Sequence, residues 1–264
     1  MLPITIIALG ALIIFAISFG IYRFTNSVEK EKESMFNLTG NKERVIGMRD
    51  LEKLPPSLAT YLKKVGITGK CSDCHAIFKQ QGRIKTGRYK NWTNFTATQY
   101  MTADTPNFIW SARAYPLFIR DKSINGSGEV KVNIFGLIDI AKFDGEKTDK
   151  SALSRCLGEL LFYPIGFLSD AITWEELSDG SLKTTVLVNN TMAEGIFFFN
   201  DEGLLYRFES KRYMGDSLED FTGIAEDYQT LSGLFIPSKM KAIWNLKDGD
   251  FEYFNATIKE YKID

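Results

Sequence analysis

The sequence predicts a mainly β (α+β) fold, in which an N-terminal transmembrane helix precedes a strongly curved antiparallel sheet or half-barrel of about ten strands with one central packed helix. Three observations support this prediction. The chain begins with a long uncharged apolar run. Beyond residue 71 the hydrophobic pattern has a period of two, interrupted by short turns. A single long helical pattern stands among these strands, and an open sheet of this many strands has to curl.

The first element covers residues 2–22, LPITIIALGALIIFAISFGIY, which contain no charged side chain. An α-helix needs about 20 apolar residues to cross a bilayer. A cleaved signal peptide would have a basic start, a shorter apolar core and a small-x-small site, whereas Ala16-Ile17-Ser18 is a poor match. We therefore expect residues 1–25 to be an uncleaved, single-pass membrane anchor.

The sequence leaves open on which side of the membrane the remaining chain lies. Lys and Arg occur only after the apolar run, beginning with Arg23, and the positive-inside rule would place them in the cytoplasm. Long domains, however, are translocated largely regardless of charge. The partner expected for residues 2–22 is the lipid bilayer itself.

After the anchor, residues 26–50 are polar and charged and are interpreted as a linker. Residues 51–264 are interpreted as one β-rich domain with a short N-terminal helix, in which Pro56 suits the first turn. Strands then follow one another through tight turns such as NGSG and DG. Because no crossover helices separate them, we predict an antiparallel meander, with residues 129–140 (EVKVNIFGLIDI) as one strand.

The helical pattern among the strands covers residues 149–164, DKSALSRCLGELLFYP. Its other face carries Arg155 and Glu159 one turn apart, with Phe162 beside them. In solvent this pair would be worth a few tenths of a kcal/mol, but facing a cavity it is the best candidate site in the sequence. The apolar face, predicted to pack on the sheet, consists of Leu153, Leu157, Leu160 and Leu161.

Composition and missing motifs exclude several functions. The formal net charge of -1 offers no electrostatic case for nucleic-acid binding. His75 is the sole histidine, which excludes mechanisms that need two, and three cysteines do not make a disulfide framework. There is no Gly-rich phosphate loop, G-x-S-x-G or H-E-x-x-H motif, so we assign neither catalytic residues nor a cofactor.

One motif does suggest chemistry: Cys71-Ser72-Asp73-Cys74-His75 matches the C-x-x-C-H pattern of covalent c-type haem attachment. The residues after His75 alternate with a period of two, which favours a strand over a helix. In a strand, Cys71 and Cys74 would point to opposite faces and could share neither a haem nor a metal. We therefore assign no metal site and keep haem attachment as a remote alternative.

Beyond the anchor, the chain resembles a family of bacterial, membrane-anchored proteins that share a domain of unknown function. The similarity extends from Leu54 to Lys259. In that family the CSDCH segment corresponds to an ordinary strand. The motifs that carry the resemblance include Leu54-Pro55-Pro56, Gln99-Tyr100, Phe108-Ile109-Trp110, Asp121, Arg155 with Glu159, Phe162 with Pro164, Arg207-Phe208 and Gly249-Asp250-Phe251.

A more remote resemblance lies in the C-terminal strands. Asp227-Tyr228, a Gly-x-x-x-Pro motif from Gly233 to Pro237 and a strand ending in Trp244 are similar to lipoprotein carriers of the LolA/LolB type. Those carriers are curved antiparallel half-barrels that hold acyl chains against internal helices. The resemblance implies the same fold here, while any function taken from it is analogy.

Three functions remain compatible with the sequence. The first is a membrane-anchored domain that binds a lipid or apolar ligand in the concave face of its sheet. The second is an envelope enzyme that uses Arg155, Glu159 and Asp121, and the third is a structural or interaction module without a pocket. The interior of the sheet distinguishes them. The candidate ligand-binding residues are Arg155, Glu159, Phe162, Trp110 and Asp121.

Overall fold

The computed structural model of the protein describes residues 2–38 and 44–264. Residues 39–43, which belong to the segment interpreted as a linker, lie outside the described residues. The helices are α1 (Leu2–Phe36), α2 (Met48–Leu51), α3 (Pro56–Val65) and α4 (Glu146–Glu159), and two 3₁₀ turns, Leu160–Phe162 and Pro164–Leu168, follow α4.

The strands form one antiparallel sheet in the order β6-β5-β4-β3-β2-β1-β13-β12-β11-β10-β9-β8-β7. Neighbours in the sheet are therefore neighbours in the chain except where β1 pairs with β13, as a meander predicts. The strands are β1 (His75–Ile84), β2 (Thr93–Thr102), β3 (Asn107–Ala114), β4 (Leu117–Ile124), β5 (Ser127–Ile134), β6 (Ile138–Phe143), β7 (Ile172–Glu176), β8 (Leu182–Val188), β9 (Thr191–Phe199), β10 (Leu205–Met214), β11 (Ser217–Leu231), β12 (Leu234–Leu246) and β13 (Gly249–Ile263).

The predicted fold class is confirmed, with 13 strands instead of about ten. Residues 129–140 show why the number is larger. The chain turns at Phe135 and Gly136, whose φ angles are 51° and 72°, so that β5 and β6 form a hairpin instead of one strand. Phenylalanine rarely adopts a positive φ, so Phe135 gives no sign of a turn in the sequence. The apolar pattern of the two strands runs through the turn without interruption.

α4 covers one face of the sheet, which we call the inner face. The four leucines predicted to pack on the sheet are all at most 1% exposed. The helix begins earlier than predicted, at Glu146 after Gly145, and the carboxylate of Asp149 instead accepts a hydrogen bond from the Gly128 amide of β5 at 2.7 Å. Asp149 thus ties the helix to the sheet.

α1 crosses the opposite, outer face of the sheet. The helix continues beyond the apolar run to Phe36, through the first part of the segment interpreted as a linker. Phe24, Val28 and Met35 recur at helical spacing among charged residues and are buried against Ile109 and Phe118. The charged residues between them give this part of the chain the composition of a linker. The three apolar residues nevertheless lie on one side of the helix, and that side packs against the sheet.

Candidate functional site

A cavity of about 210 Å³ lies between the inner face of the sheet and the end of α4. Its walls are mainly apolar and come from β1, β3–β5 and β10–β13, together with α4 and the 3₁₀ turn Leu160–Phe162. The apolar side chains that line it include Ile84, Ile119, Val130, Phe208, Met240 and Phe254.

Strand register brings one row of functional side chains to this cavity. Gln99 of β2 is paired with Trp110 of β3, and Trp110 is paired with Asp121 of β4. Side chains directly opposite each other in a sheet share a face, so all three lie on the inner face. α4 then places Arg155 and Glu159, one helical turn apart, over this row.

The polar groups form a connected network, which we call the inner charge cluster: Gln99, Asp121, Arg155 and Glu159. Arg155 Nε donates to Glu159 Oε1 at 2.8 Å, and Arg155 Nη1 donates to Asp121 Oδ2 at 2.5 Å. Gln99 Nε2 donates to Glu159 Oε2 at 2.6 Å. The three charged side chains are between 14% and 17% exposed, so the cluster is not the solvated surface pair of the alternative interpretation.

Aromatic rings hold the arginine in place. The Arg155 guanidinium carbon lies 4.7 Å from the ring centroid of Phe108 and 5.1 Å from that of Trp110. Such cation–π contacts favour a charged guanidinium in a partly desolvated site. The indole N–H of Trp110 donates to Gln80 Oε1 at 2.7 Å, which fixes the ring.

Burial and charge act in opposite directions on the two sides of the ion pair. Burial raises the pKa of Glu159, and Arg155 only partly opposes this while the Asp121 carboxylate adds to it. Burial alone would lower the pKa of Arg155, but Glu159 and Asp121 beside it raise that pKa above its ordinary value. Arg155 therefore stays charged, and Glu159 binds a proton more readily than an exposed glutamate.

The inner charge cluster has unfilled hydrogen-bonding capacity. Asp121 Oδ1 and Gln99 Oε1 are buried and accept no hydrogen bond from the described residues. Asp121 also lines the cavity. A buried acceptor without a donor is costly, so one residue that lines the cavity, Asp121, carries an oxygen with an unmet need for a hydrogen-bond donor.

Arg212 of β10 is a functional candidate that the sequence interpretation missed. It lines the cavity, is 8% exposed and stacks on Phe221, with 4.5 Å between its guanidinium carbon and the ring centroid. Its Nε donates to the Ser151 carbonyl at 3.2 Å, and no described carboxylate lies within ion-pair distance. The sequence did contain a signal for Arg212. Side chains alternate between the two faces of a strand, so residue 212 lies on the same face as Phe208.

All five residues predicted for ligand binding, namely Trp110, Asp121, Arg155, Glu159 and Phe162, line this cavity. The structure thus brings the sequence candidates together from four elements: β3, β4, α4 and the 3₁₀ turn Leu160–Phe162. The alternative without a pocket does not describe this molecule, because the cavity is present. The use of these residues in binding stays a prediction.

The CSDCH motif lies apart from the candidate residues, and its predicted geometry is wrong. β1 begins only at His75, while Cys71 forms an isolated bridge and residues 72–73 turn. Both cysteines are free, and the turn places Cys71 close enough to Cys74 to act on its pKa. Burial, with Cys71 adding to it, raises the pKa of Cys74 to about 12. Among the residues that the structure describes, no three His, Cys, Asp or Glu side chains are grouped to hold a metal ion.

Several solved structures are similar to this chain at low sequence identity. A LolA superfamily protein from Nitrosomonas europaea is 13% identical over 77% of this chain and 91% of its own, with a TM-score of 0.45. A DUF1329 family protein from Desulfovibrio piger is 11% identical over 82% and 92%, with a TM-score of 0.46. A domain named for outer membrane lipoprotein sorting, from Vibrio parahaemolyticus, is 9% identical over 81% and 93%, with a TM-score of 0.43.

At the level of sequence, the comparisons point to one family. No curated protein matches the chain. Residues 44–256, most of the sequence beyond the first helix, match DUF6544, described as a family of unknown function. This confirms the resemblance predicted from the motifs between Leu54 and Lys259, and the chain belongs to the DUF6544 family.

Proposed function

We propose that this protein is a membrane-anchored binding domain whose inner cavity holds the chain of an amphiphile, with the polar head at the inner charge cluster. One observation supports the proposal above all. Asp121, which lines a mainly apolar cavity, has a buried carboxylate oxygen, Oδ1, that lacks a hydrogen-bond donor. Apolar walls with a few convergent polar groups are typical of ligand sites.

The size of the cavity limits the ligand. Sites for drug-sized ligands occupy roughly 300–1,000 Å³. The cavity of about 210 Å³ is smaller, which favours a single-chain amphiphile, or one chain of a lipid, over a whole two-chain lipid. Burial of each methylene against the aromatic and aliphatic walls would contribute about 0.8 kcal/mol.

The charges define the head of the ligand. Arg155 is shared between two carboxylates, Asp121 and Glu159, so the inner charge cluster has one positive and two negative formal charges. An occupant that donates a hydrogen bond to Asp121 Oδ1 meets the need of that oxygen for a donor. An amine or a hydroxyl at the end of an alkyl chain fits this requirement at Asp121. A fatty-acid carboxylate at the same place would be a third anion, and its nearest available cation would be Arg212 of β10.

The experiment compares three ligands of equal chain length, an alkylamine, a monoacylglycerol and a fatty acid, with the full chain held in an amphipol. We expect the amine and the glycerol ester to raise Tm and to be retained in native mass spectrometry, and the fatty acid to do so less. The proposal is refuted if none of the three binds and if no lipid co-purifies.

A cavity-filling variant makes the experiment specific. Gly223 lines the cavity, and a Cβ atom added there would meet Phe221 and Phe208 at 3.8 Å or more, which is ordinary contact. Gly223→Val should therefore fold normally and lose ligand binding. Thr230→Val, an exposed change on the same strand, is the matched control and should bind as the unmodified chain does.

The anchoring part of the proposal concerns α1. The helix is long and apolar enough to cross a membrane, and its apolar part is almost entirely exposed. Its continuation through Phe24 to Met35 packs on the sheet, which favours a permanent anchor over a cleaved leader. Alkaline extraction should leave the full-length chain in the membrane pellet, whereas a chain that starts near residue 19 would count against anchoring.

A further inference from the structure

The point at which α1 meets the sheet is fixed by a tight contact. Gly20 of α1 and Gly136 of the β5–β6 turn approach so closely that a Cβ atom on either would overlap the backbone of the other element. Arg23 Nη2 donates to the carbonyls of Gly136 and Leu137 at 2.8 Å and 3.0 Å. The β5–β6 turn is therefore held against residues 20–23 of the helix.

This contact lies at the end of the apolar run. The uncharged run ends at Tyr22, which is one helical turn or less from Gly20 and Arg23. If residues 2–22 cross the hydrocarbon core, the β5–β6 turn must lie at the boundary between the hydrocarbon and the head groups.

The neighbouring β3–β4 turn is joined to the same place. The Phe135 amide donates to the Pro116 carbonyl at 2.9 Å, and the rings of Tyr115 and Phe135 lie 6.5 Å apart. Two large side chains of these turns remain uncovered: Tyr115 is 61% exposed and Ile138 is 62% exposed. Exposed apolar and aromatic groups beside a membrane span are typical of interfacial anchors.

From this geometry we infer that the β3–β4 and β5–β6 turns form a second membrane contact, in which Tyr115 and Ile138 insert into the head-group region of the bilayer beside α1. The inference rests on the proposed anchoring by α1 but not on ligand binding in the cavity. The partner is the lipid bilayer itself. Such a contact would fix the orientation of the sheet on the membrane, because one helix alone leaves the domain free to tilt.

An exposed apolar site elsewhere provides the matched control. Met192 of the β8–β9 hairpin is 51% exposed. Asn189 of that hairpin donates to the carbonyl of Asn125 in the β4–β5 turn at 2.8 Å, at the opposite end of β5 from the β5–β6 turn. The eight residues of β5 separate the two ends by roughly 26 Å, so Met192 should lie far from the head groups.

The experiment places a photo-crosslinking benzoylphenylalanine at position 14, 115, 138 or 192 of the full chain, in nanodiscs of phosphatidylcholine and phosphatidylglycerol. We expect phospholipid adducts at positions 14, 115 and 138, and several-fold fewer at position 192. Each labelled chain should keep the Tm of the unmodified protein, which shows that it has folded.

The possible failures are distinguishable. Adducts at position 14 without adducts at positions 115 and 138 would overturn the second membrane contact and leave the anchor intact. Absence of adducts at position 14 would overturn the anchor and with it this inference. Equal adducts at positions 138 and 192 would show unspecific collision with lipid and would also overturn the inference.

Discussion

Two buried charge clusters lie back to back on β4, one on each face of the sheet. Arg120 points to the outer face and the next residue, Asp121, points to the inner face. In each cluster one arginine lies between two carboxylates. The outer charge cluster consists of Arg120, Lys122, Glu31 of α1 and Glu129 of β5.

The two clusters differ in charge balance and in what covers them. In the outer charge cluster Lys122 supplies a second cation, 3.4 Å from Glu31, and α1 itself contributes Glu31 to the group. The inner charge cluster has one guanidinium for two carboxylates and lies beside a cavity. Burial of an ion pair therefore does not by itself indicate a ligand site. Buried atoms without a hydrogen-bond partner do not distinguish the clusters either, because the outer one contains Glu31 Oε2 and Arg120 Nε. What distinguishes the inner charge cluster is an excess of carboxylates beside a cavity.

The largest expected effect comes from removing the arginine of the outer charge cluster. Arg120→Met removes the cation closest to Glu31 of α1 and Glu129 of β5 and leaves Lys122, 3.4 Å and 3.6 Å from them, to compensate both. Breaking a buried pair costs about 3–5 kcal/mol, and because Lys122 remains we expect a loss at the lower end of this range. We expect Tm to fall by roughly 10 °C, since 1 kcal/mol corresponds to about 2–4 °C in a domain of this size. Differential scanning fluorimetry of the detergent-solubilised chain measures the change.

The matched variant is Arg155→Met in the inner charge cluster. We expect a smaller loss of Tm, because the cavity admits water and Glu159, whose pKa is already raised by burial, takes up a proton. An equal or larger loss for Arg155→Met would mean that the inner charge cluster is a structural support, like the outer one.

The next prediction separates α1 from the sheet without changing a charge. Gly136 has a φ angle of 72° and contacts Gly20, whereas Gly203 has a φ angle of 69° and open space around its Cα. Gly203→Ala should cost only the left-handed strain of about 1–2 kcal/mol. Gly136→Ala should cost more and should speed hydrogen exchange in residues 24–36, because α1 has to move away. Equal effects of the two variants would show that this turn does not hold the helix.

The inner charge cluster could be predicted from the sequence because its helix has a regular pattern. With the leucines on one face of residues 149–164 and predicted to pack on the sheet, Arg155, Glu159 and Phe162 necessarily share another face, which was expected to meet either solvent or a cavity. Their distance to Asp121 was not predictable. Arg155 and Asp121 are 34 residues apart in the chain, and only the strand register of the folded sheet brings them into contact. The volume of the cavity depends on sheet curvature, which no local pattern records.

The outer charge cluster was missed for a physical reason. Glu31 and Arg120 are 89 residues apart, and the residues around Glu31 have the composition of a linker. The apolar positions at 24, 28 and 35 are too widely spaced to stand out among charges, although they define one helical face. The CSDCH turn was missed in the same way, since a period of two after His75 says nothing about the residues before it.

A smaller effect is expected from Asp121→Asn, which changes the polarity of the candidate site at constant size. The carbonyl oxygen of the new side-chain amide can accept from Arg155, which leaves the amide N–H₂ facing the cavity. We expect the affinity for an alkylamine to fall about tenfold, or 1.4 kcal/mol, and the affinity for a fatty acid to rise. Isothermal titration of the amphipol-held chain measures both, and Asp216→Asn, 96% exposed, is the control. Unchanged preference would place the head of the ligand elsewhere.

The smallest effect concerns pH and follows from Glu159. Its pKa is raised in the folded state, so the stability it contributes is complete below the ordinary value of 4.5 and is lost as pH rises through the folded-state pKa. Glu159→Gln removes this dependence. Its amide can be accommodated, because Gln99 Oε1 has no donor and a flip of the Gln99 amide would let it accept one. Between pH 4.5 and 7.5 the Tm of the unmodified chain should therefore fall by roughly 2–4 °C relative to the Tm of Glu159→Gln.

Asp216 supplies a control of opposite sign, because its hydrogen bond with Lys147 lowers its pKa. Its contribution to stability is present above the ordinary value of 3.8 and is lost as pH falls through the folded-state pKa, so Asp216→Asn should lower Tm by a small amount that is constant across the neutral range and disappears only below that window. A flat difference for Glu159→Gln across the neutral range would mean that Arg155 fully compensates the buried carboxylate. The inner charge cluster would then be as balanced as the outer one, and its unequal charge could no longer be used to argue for a ligand.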